Sequence, residues 1–237
     1  MKTMLITGTT QGIGRCMYNR YKKNFRIFTI NRREFEGENI VCNLADIHEV
    51  TSVASHISRL DIDILINNAG GAPPIIFPEM STDELVACTN LNYHSPIILM
   101  QAVMEGMKKR KYGRVINISS IASKGPRPYI PHYGAAKSAL EKFSSSMAVY
   151  YGNSGITVNC ICPGGVETET SISNRKKMAL IAGSDENYYN KKMLDSNGLN
   201  RMIQPFEIVD MVDFLISDLA TAVSGQVFNV CGVREVG

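Results

Sequence analysis

The chain carries a tyrosine and a lysine four positions apart, in Tyr133-Gly134-Ala135-Ala136-Lys137. On a helix, positions four apart share a face, so Lys137 would lie near the Tyr133 hydroxyl. A phenol with a pKa near ~10 is a poor base at neutral pH. A close ammonium, or any other nearby positive charge, favours phenolate. Lowering that pKa by about three units corresponds to roughly 4 kcal/mol of differential stabilisation. A second chemical signal lies near the start, in Thr7-Gly8-Thr9-Thr10-Gln11-Gly12-Ile13-Gly14. Glycines let a backbone come close to a phosphate. A helix N-terminus offers free N–H groups and a partial positive charge, so the pattern fits a pyrophosphate.

These residues need a scaffold, and the apolar pattern supplies one. Strand-length apolar runs fall at residues 2–7, 25–31, 39–42, 62–66, 114–118, 157–161 and 226–230, and helical patterns at 13–23, 49–59, 82–109, 133–151 and 205–217. Strands alternating with helices imply a parallel sheet covered on both faces. Continuous apolar runs such as IDILIN and GRVINI suit strands buried on both sides. The glycine turn then links the first strand to the first helix. Just past the second strand, where a dinucleotide's adenosine ribose is usually met, stands Asn31-Arg32-Arg33, with no acid until Glu34. A guanidinium suits a 2′-phosphate, which favours NADP(H). The alternative is NAD bound through Asn31, with both arginines as solvated turn residues. Residues 167–198 are polar and read as a long excursion, of the kind that forms functional lids.

Composition sets bounds. The 237 residues are 44% hydrophobic and 20% charged, with no linker or composition shift to divide them. A net charge of +3, spread over short basic runs, does not point to nucleic acid. No apolar stretch approaches the ~20 residues of a membrane span, and the opening MKTMLITG lacks a signal core. The six cysteines show no paired metal spacing and read as reduced, mostly buried thiols of a cytoplasmic protein. The four histidines are scattered, and no metal site is expected.

Together these segments resemble the short-chain dehydrogenase/reductase family, in its short form similar to 3-oxoacyl-ACP reductases. The resemblance covers nearly the whole chain. Gly8-x3-Gly12-x-Gly14 resembles the family's T-G-x-x-x-G-x-G turn and departs from the commoner G-x-G-x-x-G. Asn67-Asn68-Ala69-Gly70 resembles its N-N-A-G, where small residues leave room for a cofactor and asparagines tie neighbouring strands. Ser120 stands thirteen residues before Tyr133, at the family's spacing; Ser119 is the neighbouring alternative. Asn92 stands twenty-eight residues before Ser120, inside the long helix, with Asn90 as its competitor; the register through Gln101-Ala102 favours Asn92. Pro163-Gly164-Gly165-Val166-Glu167-Thr168 resembles the P-G-x-x-x-T that closes over a nicotinamide. Asn43-Leu44 sits where relatives often place Asp and an apolar residue against adenine. Two departures are Gln11, where a basic residue can mark NADP preference, and Val230-Cys231-Gly232 in place of V-D-G-G.

The resemblance implies a Rossmann-like, doubly wound α/β fold. One domain over residues 1–237 would hold a mainly seven-stranded parallel sheet, with a substrate lid near 165–200. It implies an oxidoreductase moving hydride between NADP(H) and a carbonyl or secondary alcohol. Tyr133 would be the general acid/base and Ser120 would polarise the substrate oxygen. Lys137 would bind the nicotinamide ribose, and Asn92 would hold a water that links Lys137 to solvent. Cofactor contacts would come from Gly8, Thr10, Gln11, Gly12, Ile13 and Gly14; from Asn31, Arg32, Arg33, Asn43 and Leu44; from Asn68, Ala69 and Gly70; from Tyr133 and Lys137; and from Pro163, Gly164, Val166 and Thr168. Rival readings are an NAD(H) enzyme of the same family, a catalytically silent nucleotide-binding protein, or an epimerase or dehydratase using the same site. Tyr129, Ile121, Tyr188, Tyr189, Met193 and Leu194 are candidates to cover the substrate, and His132 could line the pocket. Relatives assemble through the two long helices, so a homotetramer or dimer is expected.

Overall fold

A computed structural model describes residues 1–195 and 197–232, apart from the side chains of Tyr189, Lys192 and Met193. Seven strands form one sheet: β1 (Thr3–Thr7), β2 (Arg26–Asn31), β3 (Glu38–Val41), β4 (Ile64–Asn67), β5 (Gly113–Ile118), β6 (Ile156–Pro163) and β7 (Val227–Val230). Their order is β3-β2-β1-β4-β5-β6-β7, and every neighbouring pair is parallel. The chain winds outward in both directions from β1 and β4. A crevice opens at such a reversal, at the carboxyl ends of the strands.

Eight α-helices complete the described chain: α1 (Gly12–Tyr21), α2 (Ile47–Ile57), α3 (Thr82–Thr89), α4 (Ser95–Arg110), α5 (Pro131–Tyr151), α6 (Glu169–Ile181), α7 (Glu186–Asp195) and α8 (Pro205–Ile216). Alternate residues of a strand face opposite sides. On β1, Met4 and Ile6 therefore join a core with Met17 of α1 and Ile208, Val212 and Leu215 of α8. Leu5 faces a second core with Val50 of α2, Leu99, Val103 and Met107 of α4, and Leu140 of α5. The doubly wound, seven-stranded parallel sheet is as the sequence implies, and no helix separates β2 from β3. Among the described residues no helix is long and apolar enough to cross a membrane.

Two elements differ from the sequence reading. The helix expected over residues 82–109 is interrupted by a π turn, Asn90–His94, between α3 and α4. An extra residue in a turn re-aims the side chains that follow, and such turns gather at functional sites. Serine 81 and Glu84 cap α3 reciprocally, and Pro96 in the first turn of α4 supports a fresh start there. The excursion at 167–198 is mostly helical, as α6 and α7. Thr168 caps α6 through the Ser171 amide at 3.2 Å. Only Ala179 of α6 is buried, so the helix has no apolar stripe for periodicity to reveal.

Below the crevice, buried polar groups lock strands and helices in register. Asn67 Nδ2 donates to Asn117 Oδ1 at 2.8 Å, and Asn117 Nδ2 donates to Ser144 Oγ of α5 at 2.8 Å. Asn117 is wholly buried. Truncating it removes both bonds, while Asn67 keeps a longer one to the Pro96 carbonyl and Ser144 keeps its own to Leu140, so Asn117→Ala is expected to lower the unfolding free energy by about 1–3 kcal/mol, measured by urea denaturation.

Candidate active site

The crevice has a volume of about 1350 Å³ and runs from the glycine turn to the start of α5. All the residues expected to touch a cofactor line it, and so does Ser120. Gly8 adopts a φ of +72°, and a Cβ on Gly14 would lie 2.0 Å from the Gly8 carbonyl oxygen. Neither position tolerates a side chain without rearrangement. Asp46 caps α2 and Ser81 caps α3, but α1 begins at Gln11 with no capping side chain and no acid in its first turn. Its N–H groups and partial positive charge face the crevice, which fits a pyrophosphate. Asn68 fixes this wall: its Nδ2 donates to the carbonyls of Thr7 and Gly8, both at 2.9 Å.

The end of β2 sorts its candidates. Asn31 is buried and fully engaged, accepting from the Thr9 amide at 2.8 Å and donating to Thr9 Oγ1 and Asn39 Oδ1 at 2.9 and 2.8 Å. It ties the glycine turn to β2 and β3. Arg32 and Arg33 are exposed on the crevice rim. Neither guanidinium has an ion-pair partner among the described residues, whereas Arg15, Arg20 and Arg26 pair with Glu36, Asp210/Asp213 and Glu38. Asn43 accepts from the Ala45 amide at 3.2 Å and Leu44 is buried beneath it.

At the other end, α5 starts where β5 ends. Ser120 and Tyr133 both line the crevice at this junction, near enough for the serine hydroxyl to act on the phenol. Ser119 also borders the crevice, but its hydroxyl donates to buried Glu141 Oε1 at 2.5 Å. Lys137 lies one turn below Tyr133, only 2% exposed. Its Nζ donates to the Ile118 carbonyl at 2.8 Å and stands 5.7 Å from the Tyr133 ring centre. Asn92, in the π turn, is wholly buried. Its Oδ1 accepts from the Gly71 amide and its Nδ2 donates to the Gly71 carbonyl, both at 2.9 Å. A Cβ on Gly70 would fall 2.8 Å from Asn92 Oδ1 and 2.9 Å from Lys137 Nζ, so both polar atoms crowd one point behind the crevice. Asn90 is committed elsewhere, to the Ala45 carbonyl at 3.0 Å and to His94.

The electrostatics differ from the sequence expectation. Burial pushes the Tyr133 phenol up to about 12, and the Ser120 hydroxyl opposes this only in part. The Lys137 ammonium is not among the groups that shift it. Burial also pushes Lys137 down to about 8. Desolvation outweighs attraction here, and the protein's own groups keep Tyr133 a neutral phenol, ready to donate.

Of the candidate substrate neighbours, Ile121, Tyr129 and Tyr188 line the crevice, while His132 and Leu194 do not. Tyr189 and Met193 lie outside the described side chains. Sequence reasoning missed Asn174 and Met178 of α6, which also line it. It missed, too, the bridges of α6 to both rims: Gln11 Nε2 donates to Thr170 Oγ1 at 2.7 Å, and Asn174 Nδ2 to the Ala72 carbonyl at 3.2 Å. These partners are 159 and 102 positions apart, beyond any local pattern.

Known proteins share this arrangement. The family profile described as short chain dehydrogenase matches residues 2–179. The chain belongs to the short-chain dehydrogenase family. It is 29% identical over 249 residues to the 3-oxoacyl-acyl-carrier-protein reductase FabG of Chlamydia trachomatis, covering 98% of this chain and 96% of that protein. It is 32% identical over 171 residues to acetoacetyl-CoA reductase of Shinella zoogloeoides, covering 72% of this chain and 67% of the relative. A solved actinorhodin polyketide ketoreductase with NADPH superposes with a TM-score of 0.89 at 27% identity, over 98% of this chain and 96% of that one. This short-chain dehydrogenase is thus an oxidoreductase that resembles 3-oxoacyl-ACP reductases.

The buried ammonium has a cost that can be measured. Because folding lowers the Lys137 pKa, the unfolded chain binds the extra proton between about pH 8 and pH 10.5, and stability from this group rises with pH across that window. Below pH 8 the full penalty remains. Lys137→Met is therefore expected to stabilise the protein without cofactor at pH 7, by up to about 3 kcal/mol, with the gain shrinking toward pH 10.5. Unfolding curves of both proteins at pH 7 and pH 10 check this.

Proposed function

We propose that this protein moves a hydride between NADP(H) and a carbonyl or secondary alcohol, with Tyr133 as the general acid/base. The observation that carries the reading is that Ser120, Tyr133 and buried Lys137 line one crevice, the same crevice that contains the uncapped start of α1. In reduction, Tyr133 donates its proton to the carbonyl oxygen. Ser120 donates a hydrogen bond to the same oxygen and stabilises the charge that develops there. The neutral phenol suits this direction. Lys137, on the crevice wall one turn below Tyr133, holds the nicotinamide ribose and so keeps the ring beside the phenol. Asn92 fixes the Gly70-Gly71 backbone beside Lys137 and supports a water path to it. Bound, the nicotinamide supplies or accepts the hydride, and the protein's part is to place it.

Which dinucleotide is used turns on the end of β2. Among the described residues, Arg32 and Arg33 offer guanidinium groups without an ion-pair partner at the rim, while the side chain of Asn31 is spent on Thr9 and Asn39. That supports NADP(H) over NAD(H). The names of the relatives support a 3-oxoacyl thioester as the carbonyl substrate. Residues 165–200, with α6 bridging both rims, serve as the lid over it. Exposed Val86 on α3, with Val149 and Tyr150 on α5, supports assembly with further copies through that side.

Tyr133→Phe is expected to reduce NADPH oxidation with acetoacetyl-CoA by about 10²–10⁴-fold while NADPH still binds. Wild-type turnover in that variant sinks the acid/base assignment. Arg32→Asp is expected to shift the NADPH-to-NADH affinity ratio by at least tenfold toward NADH, measured by fluorescence titration; an unchanged ratio moves the specificity elsewhere.

A further inference from the structure

Glu141 is 9% exposed and stands one turn beyond Lys137 on the same face of α5. Its Oε1 accepts from Ser119 Oγ at 2.5 Å, Ser123 Oγ at 2.5 Å and Cys162 Sγ at 2.9 Å. Its Oε2 accepts from Lys124 Nζ at 2.7 Å. These donors come from the end of β5, from the 3-10 turn Ile121–Ser123 and the residue after it, and from the end of β6. The four therefore converge on one carboxylate from three directions.

The proton inventory identifies the species. The Lys124 ammonium can only donate and carries a full charge, and two hydroxyls and a thiol bring further protons to the same group, so an ionised, acceptor-only carboxylate satisfies all four at once. Burial alone would raise the Glu141 pKa, but the bonds from Cys162, Lys124, Ser119 and Ser123 together hold it below the ordinary value. The same carboxylate helps push Cys162 up to about 12, after burial, so that thiol stays a donor.

All of this surrounds Ser120. Ser119 precedes it in the chain. Ser123 folds back on it: its amide donates to the Ser120 carbonyl at 3.0 Å, and its one hydroxyl proton is shared between that carbonyl at 2.7 Å and Glu141 Oε1 at 2.5 Å. Ser120 Oγ accepts from the Ala122 amide at 3.1 Å inside the same turn. The backbone on both sides of Ser120 is thus moored to α5, the helix that also carries Tyr133 and Lys137. We propose that Glu141 is a positioning residue for Ser120: by gathering Ser119, Ser123, Lys124 and Cys162, it sets the Ser120 hydroxyl at its distance from the Tyr133 phenol.

This inference rests on the role given to Ser120 above, and a double-mutant cycle separates the two. Glutamine at position 141 keeps the volume but offers one accepting oxygen to four donors and adds donors of its own. The rate of NADPH oxidation with acetoacetyl-CoA, or with the fastest substrate of a carbonyl panel, is measured for wild type, Glu141→Gln, Ser120→Ala and the double variant. Each rate is corrected for folded protein, and NADPH affinity is measured beside it. Small displacements of a catalytic group cost on the order of 10²-fold, so Glu141→Gln is expected to lower kcat about 10–100-fold with NADPH affinity within about twofold. In the Ser120→Ala background the same change is expected to cost less than about threefold, because groups acting through one another are not additive. Equal losses in both backgrounds, or a wild-type kcat in Glu141→Gln, overturn the proposal. A wild-type rate in Ser120→Ala overturns the role of Ser120 itself, and the proposal with it. Should Glu141→Gln fail to fold, Ser119→Ala in the same cycle removes one mooring bond, with a severalfold loss expected only where Ser120 is present.

Discussion

A lysine ammonium kept almost wholly out of water is the constraint around which this molecule is arranged. Lys137 can stay charged there only if oxygen atoms meet it, and the Ile118 carbonyl, at the open end of β5, is the one at hand. That bond fixes where α5 lies on the sheet. It also fixes where Tyr133 emerges, one turn higher. Leu140 and Ala148 hold the helix down by burying its apolar side in the core shared with α4. Gly70 stays small because Lys137 and Asn92 fill the space behind it. A buried ionisable group with a shifted pKa on the wall of a crevice is a frequent mark of a functional site.

The opposite end of the crevice obeys the same topology with different chemistry. β1 and β4 are where the winding reverses, so the loops following them part and leave a gap. The glycine turn fills one wall with backbone N–H groups, and Asn68 braces it from β4. One sheet thus presents an uncapped helix start and a phenol–ammonium pair to a single elongated space. The spacing between them is set by the strand order and by the two central ladders, of three and four residue pairs, whose residues are buried.

Much of this was legible in the sequence because the signals are local. Continuous apolar runs mark strands buried on both faces, and a glycine turn or a tyrosine–lysine pair is readable within a few residues. The two serines and the two asparagines have different partners: Ser119 donates to Glu141 and Asn90 to the Ala45 carbonyl, while Ser120 accepts from the Ala122 amide and Asn92 bonds to Gly71. What was not legible depends on tertiary packing. The π turn at Asn90–His94 keeps helical composition on both sides, so an apolar pattern does not register the extra residue. Helix α6 has no buried stripe and was read as a loop. The phenol was expected to be lowered by its lysine, but desolvation, which no sequence pattern reports, raises it instead. Glu141 was overlooked although it is four positions past Lys137 on the same helix face, because its partners stand 17 to 22 positions away.

The most direct test is a crystal structure of the protein with NADP⁺ and a bound 3-oxoacyl thioester. One oxygen of the ligand is predicted within hydrogen-bond distance of both the Tyr133 hydroxyl and Ser120 Oγ, with Lys137 Nζ on the ribose next to the nicotinamide. A carbonyl resting away from Tyr133, or a ribose out of reach of Lys137, would contradict the account even with the fold unchanged.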